Sequence, residues 1–488
     1  MKILVVVALS LAATVAAGAQ GRPGQVASVH HQVSANAEAQ AAFDRGLLDY
    51  YAYNPEAAEH EFYTAADLDK HLAMAYWGIA LSNAPNLNVD PTGDRANQAR
   101  EAIAQARALE SYATPEDHAF IEAAASRFSA AKADPDALLA NYRDALQRIA
   151  RANPNDPDAA ALYAEAALYV AVGIPHRNLA TMTPEERTAW RSGIALLLPM
   201  FHADLANFPK HVGLLHFYIH ASQMAGSSVE AVDAARELAA FSLPPEDSHL
   251  THMPGHTFFD VGLYNDALDV ATRSVAMDFA DIDCCHPGYY SAVRYYHDHN
   301  VSFELYAMMQ TGRTAEAVTV ARNENNDDFI ARALIANQQW QDVLALPYVT
   351  GKDRTLAFAR GIAYAKIGNG NLAQQALSDM PESTNPRLAT VGEAMRLTLA
   401  AQIAMLAHDD TKALELLTNA SADAQKTKEL GAEIPAIYYY SPHLLLAELA
   451  TRLGKLDVAR AALQAELVAS PRSKKALDAL AQLGTTPR

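Results

Sequence analysis

From about residue 37 onward, apolar and polar positions follow the 3.6-residue period of amphipathic helices with few interruptions. NAEAQAAFDRGLLDYYAYNPEAAEHEFYTAADLDKHLAMAYWGIALSNA reads as three helices joined by short turns. Asn54-Pro55 opens the second, since Pro at the first helical position gives up no intrahelical hydrogen bond. Similar hairpins recur further on. HVGLLHFYIHASQMAG pairs with SSVEAVDAARELAAF, SHLTHMPGHTFFDVG with LYNDALDVATRSVAMD, and HNVSFELYAMMQTG with RTAEAVTVARNE. In each, an apolar helix ends near a Gly and a helix carrying small Ala residues follows. TLAFARGIAYAKIGNGNLAQQALSDM and SPHLLLAELATRLGKLDVARAALQAEL repeat the pattern near the C-terminus. Thr183, followed by Pro184, Glu185 and Glu186, is a further helix start. Val and Ile form no regular alternating runs beyond the first residues, so sheets are not expected.

Two-helix units of this kind stack because neither helix buries its apolar face alone. The Gly or Ala midway along the first helix, the Gly at the turn and the Ala near the start of the second resemble the tetratricopeptide repeat family. That resemblance covers most of residues 37–470. It implies an all-α, right-handed superhelical solenoid of antiparallel helix pairs. Repeats are expected over 37–170, over a histidine-rich centre at 171–325 and over 326–475, with a flexible tail at 476–488. Residues 280–300 (ADIDCCHPGYYSAVRYYHDHN) read as a Cys-, His- and Tyr-rich insertion between repeats. In solenoids such insertions map to loops on one face, often the binding face.

Composition narrows the picture. At 488 residues the chain exceeds a single compact core, which fits an array. MKILVVVALSLAATVAAGAQG carries one Lys, an apolar run and small residues before a cut after Ala19. It reads as a signal peptide at 1–19, followed by a flexible segment at 20–36, and places the protein in a secreted or periplasmic compartment. No later segment reaches eighteen unbroken apolar residues, so no membrane span is expected after cleavage. A net charge of -18 excludes a phosphate-binding surface for nucleic acid. No glycine-rich loop announces a nucleotide, and neither a G-x-S-x-G elbow nor HExxH is present. The two cysteines, Cys284 and Cys285, are adjacent; free thiols, a labile disulfide and a soft-metal contact all stay open.

The candidate chemistry lies in histidines. With the turn glycines Gly226, Gly262 and Gly312 aligned as position 15, His216 and His220 fall at positions 5 and 9. His252 and His256 fall at the same positions one repeat later. His249 sits at position 2, as does His299 in the third hairpin, with His297 at its edge. Positions 2, 5 and 9 share one helix face. Stacked repeats bring equivalent positions to a helix-packing distance of about 8–10 Å. The family resemblance puts that face on the concave groove, where these histidines would converge on one patch. Imidazole suits a transition metal such as copper, zinc or iron rather than calcium or magnesium. Pro254 would either start the helix near Met253, leaving His249 and His252 on a preceding turn, or bend it. Tyr289, Tyr290, Tyr295, Tyr296 and Tyr306 are expected to line the groove. Tyr439 and His443 would join them if the superhelix curls far enough.

HFYIHA, H-x-x-HMPGH-x-F and HxHN together resemble a group of bacterial tetratricopeptide-repeat proteins whose second motif commonly reads HMPSHIF. Here Gly255 stands for the Ser and Thr257 for the Ile. The resemblance implies a shared site at His216, His220, His249, His252, His256, His297 and His299, and no particular reaction. Two functions follow. One is an exported metalloprotein with a mononuclear or dinuclear centre, whether or not it turns over a small organic substrate by redox or hydrolytic chemistry. The other is a non-enzymatic scaffold of the bacterial envelope that captures a peptide or partner protein in the groove.

Overall fold

The computed structural model describes residues 25–485 apart from 28, 35, 89–93, 129–133, 174–178, 285–289, 384 and 430–439. The expected leader lies outside the described residues. Between Ala37 and Thr485 the described residues are almost all helical, and most successive helices pack antiparallel in pairs. The local signals act as the sequence suggests. Asn54 caps a helix that has Pro55 in its first turn. Thr183 and Glu186 form a reciprocal capping box. Gly226, Gly262 and Gly312 all adopt left-handed φ of 74–81°, the conformation that ends a helix without a Cβ penalty.

The helices that build the site are α1 (Ala37–Tyr51), α2 (Pro157–Val172), α3 (Val212–Ala225), α4 (Ser248–Asp260), α5 (Tyr264–Cys284) and α6 (Tyr290–Gln310). Two more, α7 (Leu456–Ala469) and α8 (Lys474–Thr485), close the chain. α4 is the central element: Ser248 to Phe259 are all buried. Its wholly buried Leu250 and Met253 each contribute about 1.5–3 kcal/mol by leaving water. Pro254 lies inside it, so the Leu250 carbonyl loses a helical donor, yet the helix is unbroken from Ser248. Of the two alternatives for Pro254, a start near Met253 is excluded.

Much of the insertion expected at 280–300 is helix. Residues 280–284 prolong α5 and 290–300 open α6, while 285–289 lie outside the described residues. The terminal segments also differ from flexible chain where they are described. Gln25–Val26 pairs in parallel with Phe241–Ser242. The Gln40 side chain bonds the backbone of His31, Val33 and Ser34. Residues 476–485 belong to α8, where Ala476 and Leu483 are buried. Packing these short apolar patches against existing helices offsets the entropy of ordering them.

One apolar core runs from Ala27 to Leu399 and a second from Ala401 to Leu483. The two ends of that path meet. A Cβ at Gly262 would lie 2.3 Å from the Pro471 carbonyl oxygen, so the turn after α4 rests directly on the turn between α7 and α8. Tyr306 Oη reaches Ser470 Oγ at 2.5 Å across the same contact. Among the described residues no helix is long and apolar enough to cross a membrane.

Candidate metal centre

Six central histidines lie in one contiguous patch, as expected, and within it they form two triads, bridged where the His249 and His252 rings stand 6.2 Å apart. His216 and His220, four residues apart on α3, meet His249 of α4; one nitrogen from each lies within 4.8 Å of the others. The His216 and His249 rings are 5.1 Å apart, and those of His220 and His249 6.2 Å. His252 and His256 of α4 meet His299 of α6 in the same way. There the Nε2 atoms of His252 and His256 are 2.9 Å apart, and those of His256 and His299 3.4 Å. Three imidazoles on a zinc-like ion, with bonds of about 2.0–2.1 Å, set their nitrogens about 3.3 Å apart in tetrahedral geometry.

One rule generates both triads. Positions 5 and 9 of one repeat are completed by position 2 of the next. α4 therefore serves twice, giving His249 backward to α3 and keeping His252 and His256 for α6. The helical rise explains the division: seven residues separate His249 from His256, about 10 Å along the axis. Sharing a face does not bring side chains to one point when they stand two turns apart.

Outer contacts orient these rings. His216 Nδ1–H donates to the Tyr51 carbonyl at 2.6 Å, which leaves the Nε2 lone pair available. His249 Nε2 meets the Asn88 amide at 3.0 Å, and His256 Nδ1 the Gln223 amide at 3.2 Å. The Tyr53 ring packs 4.5 Å from that of His216, and Phe303 stands 4.4 Å from His252 and 4.8 Å from both His256 and His299. Among the described residues, five buried imidazole nitrogens have no hydrogen-bond partner: His216 Nε2, His220 Nδ1 and Nε2, His249 Nδ1 and His252 Nδ1.

Burial depresses the pKa of all six rings, to about 4 for His216 and His299. It takes His220, His249, His252 and His256 well below the usual value, with the neighbouring imidazoles adding to the effect. At neutral pH all six are uncharged, the form that donates a lone pair to a metal.

His297 is not part of either triad. It stands 3.2 Å from Asp278 and 2.8 Å from Glu324. Burial works against its charge, but these two carboxylates hold its pKa up, to about 9. Its two ring nitrogens thus face carboxylates rather than the other histidines, so the fold does not bring it together with the six of the triads. Tyr296 packs 4.6 Å from His249 and reaches toward Asn88. Tyr306 and His443, distant in sequence, line one cavity of about 470 Å³ whose wall also includes His256. Tyr289 and Tyr439 lie outside the described residues, as do the side chains of Tyr290, Tyr295, Cys284 and Cys285.

Several residues around the centre went unnoticed in the sequence. Gln223 carried a signal, being one turn beyond His220 on the same helix face. Asn88 and Tyr53 carried none, because they reach the site from more than 150 residues away. Behind Tyr53, its hydroxyl pairs with Tyr169 at 3.2 Å, and Glu165 of α2 accepts from both Tyr169 and Tyr50 at 2.6 Å. A third group, His31, Asp156 and Asp158, also brings possible ligand atoms together. It is better read as structural: Asp156 caps α2, while Asp158 accepts from the Tyr51 hydroxyl at 2.7 Å and faces His211 at 3.1 Å. Burial opposes ionisation of Asp158, but His211 and His31 hold its carboxyl far below the usual range.

No protein-family model matches this chain, and no curated protein does. Among solved structures, the chain is similar to the human IFIT1 dimer with m7Gppp-AAAA, at 12% identity over 91% of each chain and a TM-score of 0.34. It is also similar to yeast Tom70, at 11% identity over 91% of this chain and 95% of that one, with a TM-score of 0.26. The P58(IPK) TPR domain matches at 10% identity over 86% and 99%, with a TM-score of 0.23. All three superpositions are loose. The chain is an array of antiparallel helix pairs with histidine clusters of metal-ligand geometry at its centre.

Proposed function

We propose that the protein is a helical-repeat scaffold that binds two transition-metal ions, one in each histidine triad. The observation that carries this reading is the convergence of one nitrogen from each of three imidazoles in both triads. In the first, His216, His220 and His249 each keep a buried nitrogen without a partner among the described residues, and in the second the Nε2 atoms of His252, His256 and His299 face one another. Leaving a buried polar atom unsatisfied costs about 1–3 kcal/mol, and a bound ion would offset that cost at several atoms together. Neutral imidazoles suit zinc, copper or iron, and three ligands leave a coordination position open. Export, expected from residues 1–19, would bring the chain into contact with such ions.

Elemental analysis of tag-free protein, offered zinc(II), copper(II) and iron(II) separately and then dialysed, tests the proposal. About two equivalents of one element are expected, about one in the His252→Ala/His256→Ala variant, and none once His216→Ala and His220→Ala are added. Circular dichroism shows whether each variant keeps its helices. Wild-type protein holding no more metal than the fourfold variant would sink the reading.

A second reading, a scaffold that captures a peptide or partner protein without metal, is favoured by the architecture itself. Stacked helix pairs present an extended inner surface. Metal stoichiometry separates the two.

A further inference from the structure

The cavity beside His256 is walled from two distant parts of the chain. α4 and α6 supply Phe259, Phe303 and Tyr306; the residues that come round to meet them include His443, Glu466 and Ser470. It exists because the array closes on itself at Gly262 and Pro471. Its volume of about 470 Å³ lies in the range of small-molecule sites. The first triad contributes nothing to its lining, so only the second triad borders it.

We propose that this chamber binds a small aromatic carboxylic acid, with its ring against Phe259, Phe303 and Tyr306, its carboxylate on Tyr264, and its other end toward the His252–His256–His299 triad. Ring centroids of Phe259 lie 4.8 Å from Phe303 and 5.6 Å from Tyr306, an aromatic wall suited to edge or face contact with another ring. The Tyr264 hydroxyl is buried on the chamber wall beside Ser470, and it makes no hydrogen bond of good geometry among the described residues. Ser470 is occupied by Tyr306. Burial pushes the Tyr264 phenol far up, so it remains a protonated donor, for which a carboxylate is a stronger acceptor than the Ser470 hydroxyl.

Charge points the same way. In a chain of net charge -18, Lys428, Lys474 and Lys475 gather at this cavity. Lys428 donates to the Val468 and Ala469 carbonyls, and burial lowers its pKa. Lys474 is taken by Asp478, while Lys475 is near enough to Glu466 to act on its charge without a close ion pair among the described residues. Of the other acids, Asp260 accepts from Ser228 and Glu466 from Ser441. Burial raises the pKa of Glu466, which lessens its charge against an anion. The placement of the acid stands on these walls, and only its approach to the triad rests on the metal reading above.

Isothermal titration of the chelator-treated full chain with 3-phenylpropionate tests the chamber, with 3-phenyl-1-propanol and 3-cyclohexylpropionate as comparators. One saturable site is expected for the aromatic acid, with each comparator bound at least about 10-fold more weakly. Tyr264→Phe, which keeps the ring and removes the hydroxyl, should weaken binding about 10-fold while the alcohol loses less. No saturable binding of the acid up to about 5 mM, or equal affinity for acid and alcohol, overturns the proposal. In cobalt(II)-loaded protein the acid should shift the visible absorption, and binding without a shift overturns contact with the triad. A protein that takes up no cobalt but still binds the acid refutes the metal reading and leaves the chamber standing.

Discussion

Glu165 is wholly buried, and burial raises its pKa from 4.5 to about 7 against the opposing hydrogen bonds of Tyr169 and Tyr50. The folded state therefore holds this proton more tightly than the unfolded chain. Its contribution to stability is full below pH 4.5 and is lost as pH rises to about 7, by roughly 3 kcal/mol at about 1.4 kcal/mol per pKa unit. Glu165→Gln should remove that part of the pH dependence. Urea unfolding of both proteins from pH 4 to 8 reads the difference, and parallel curves would show that the carboxyl is not held as described. Residue type was the legible part at this scale, and partners were not. His297 and His299 stand two residues apart, about 200° around one helix, so they face nearly opposite ways. Sequence proximity put both in one site, whereas the fold gives one to Asp278 and Glu324 and the other to His252 and His256.

At the scale of the element, α4 carries half of the six clustered histidines, and its register is what makes two triads. The alignment on turn glycines placed positions 2, 5 and 9 correctly on one face, because helical period and turn chemistry are local properties. It could not say how far one helix is staggered against the next, which depends on packing. Gly255 lies between His252 and His256 of the second triad. A Cβ there would meet Val270 Cγ2 at 3.4 Å and Phe303 Cδ1 at 3.5 Å, both ordinary contacts. Gly255→Ala should thus stabilise the protein by about 0.5–1 kcal/mol through helix propensity, with metal stoichiometry unchanged. Thermal unfolding together with metal content checks this. A destabilised variant would mean that α4 and α6 pack more closely than these distances indicate.

For the whole molecule, closure of the array matters most. Gly262 combines φ of 74° with direct contact against Pro471, so Gly262→Ala meets both backbone strain and a carbonyl oxygen. The expected result is separation of the closing helices at a cost of about 1–3 kcal/mol, with faster proteolysis near residue 471 and loss of 3-phenylpropionate binding. Metal bound by the first triad should persist, since none of its residues lines the cavity. Unchanged proteolysis would show that the closure tolerates a side chain. The sequence by itself determined that the chain is helical, where its hairpins turn and which residue type fills the inner face. Each of these follows from neighbours within a few residues: apolar period, caps and turn glycines. Only the tertiary structure decided that six histidines divide into two threes, that Asn88 and Tyr53 stand against them, and that His443 and Ser470 border the same cavity as His256. Those pairings join residues tens to hundreds of positions apart, and helix stagger and superhelical closure, which set them, arise from packing summed over many repeats.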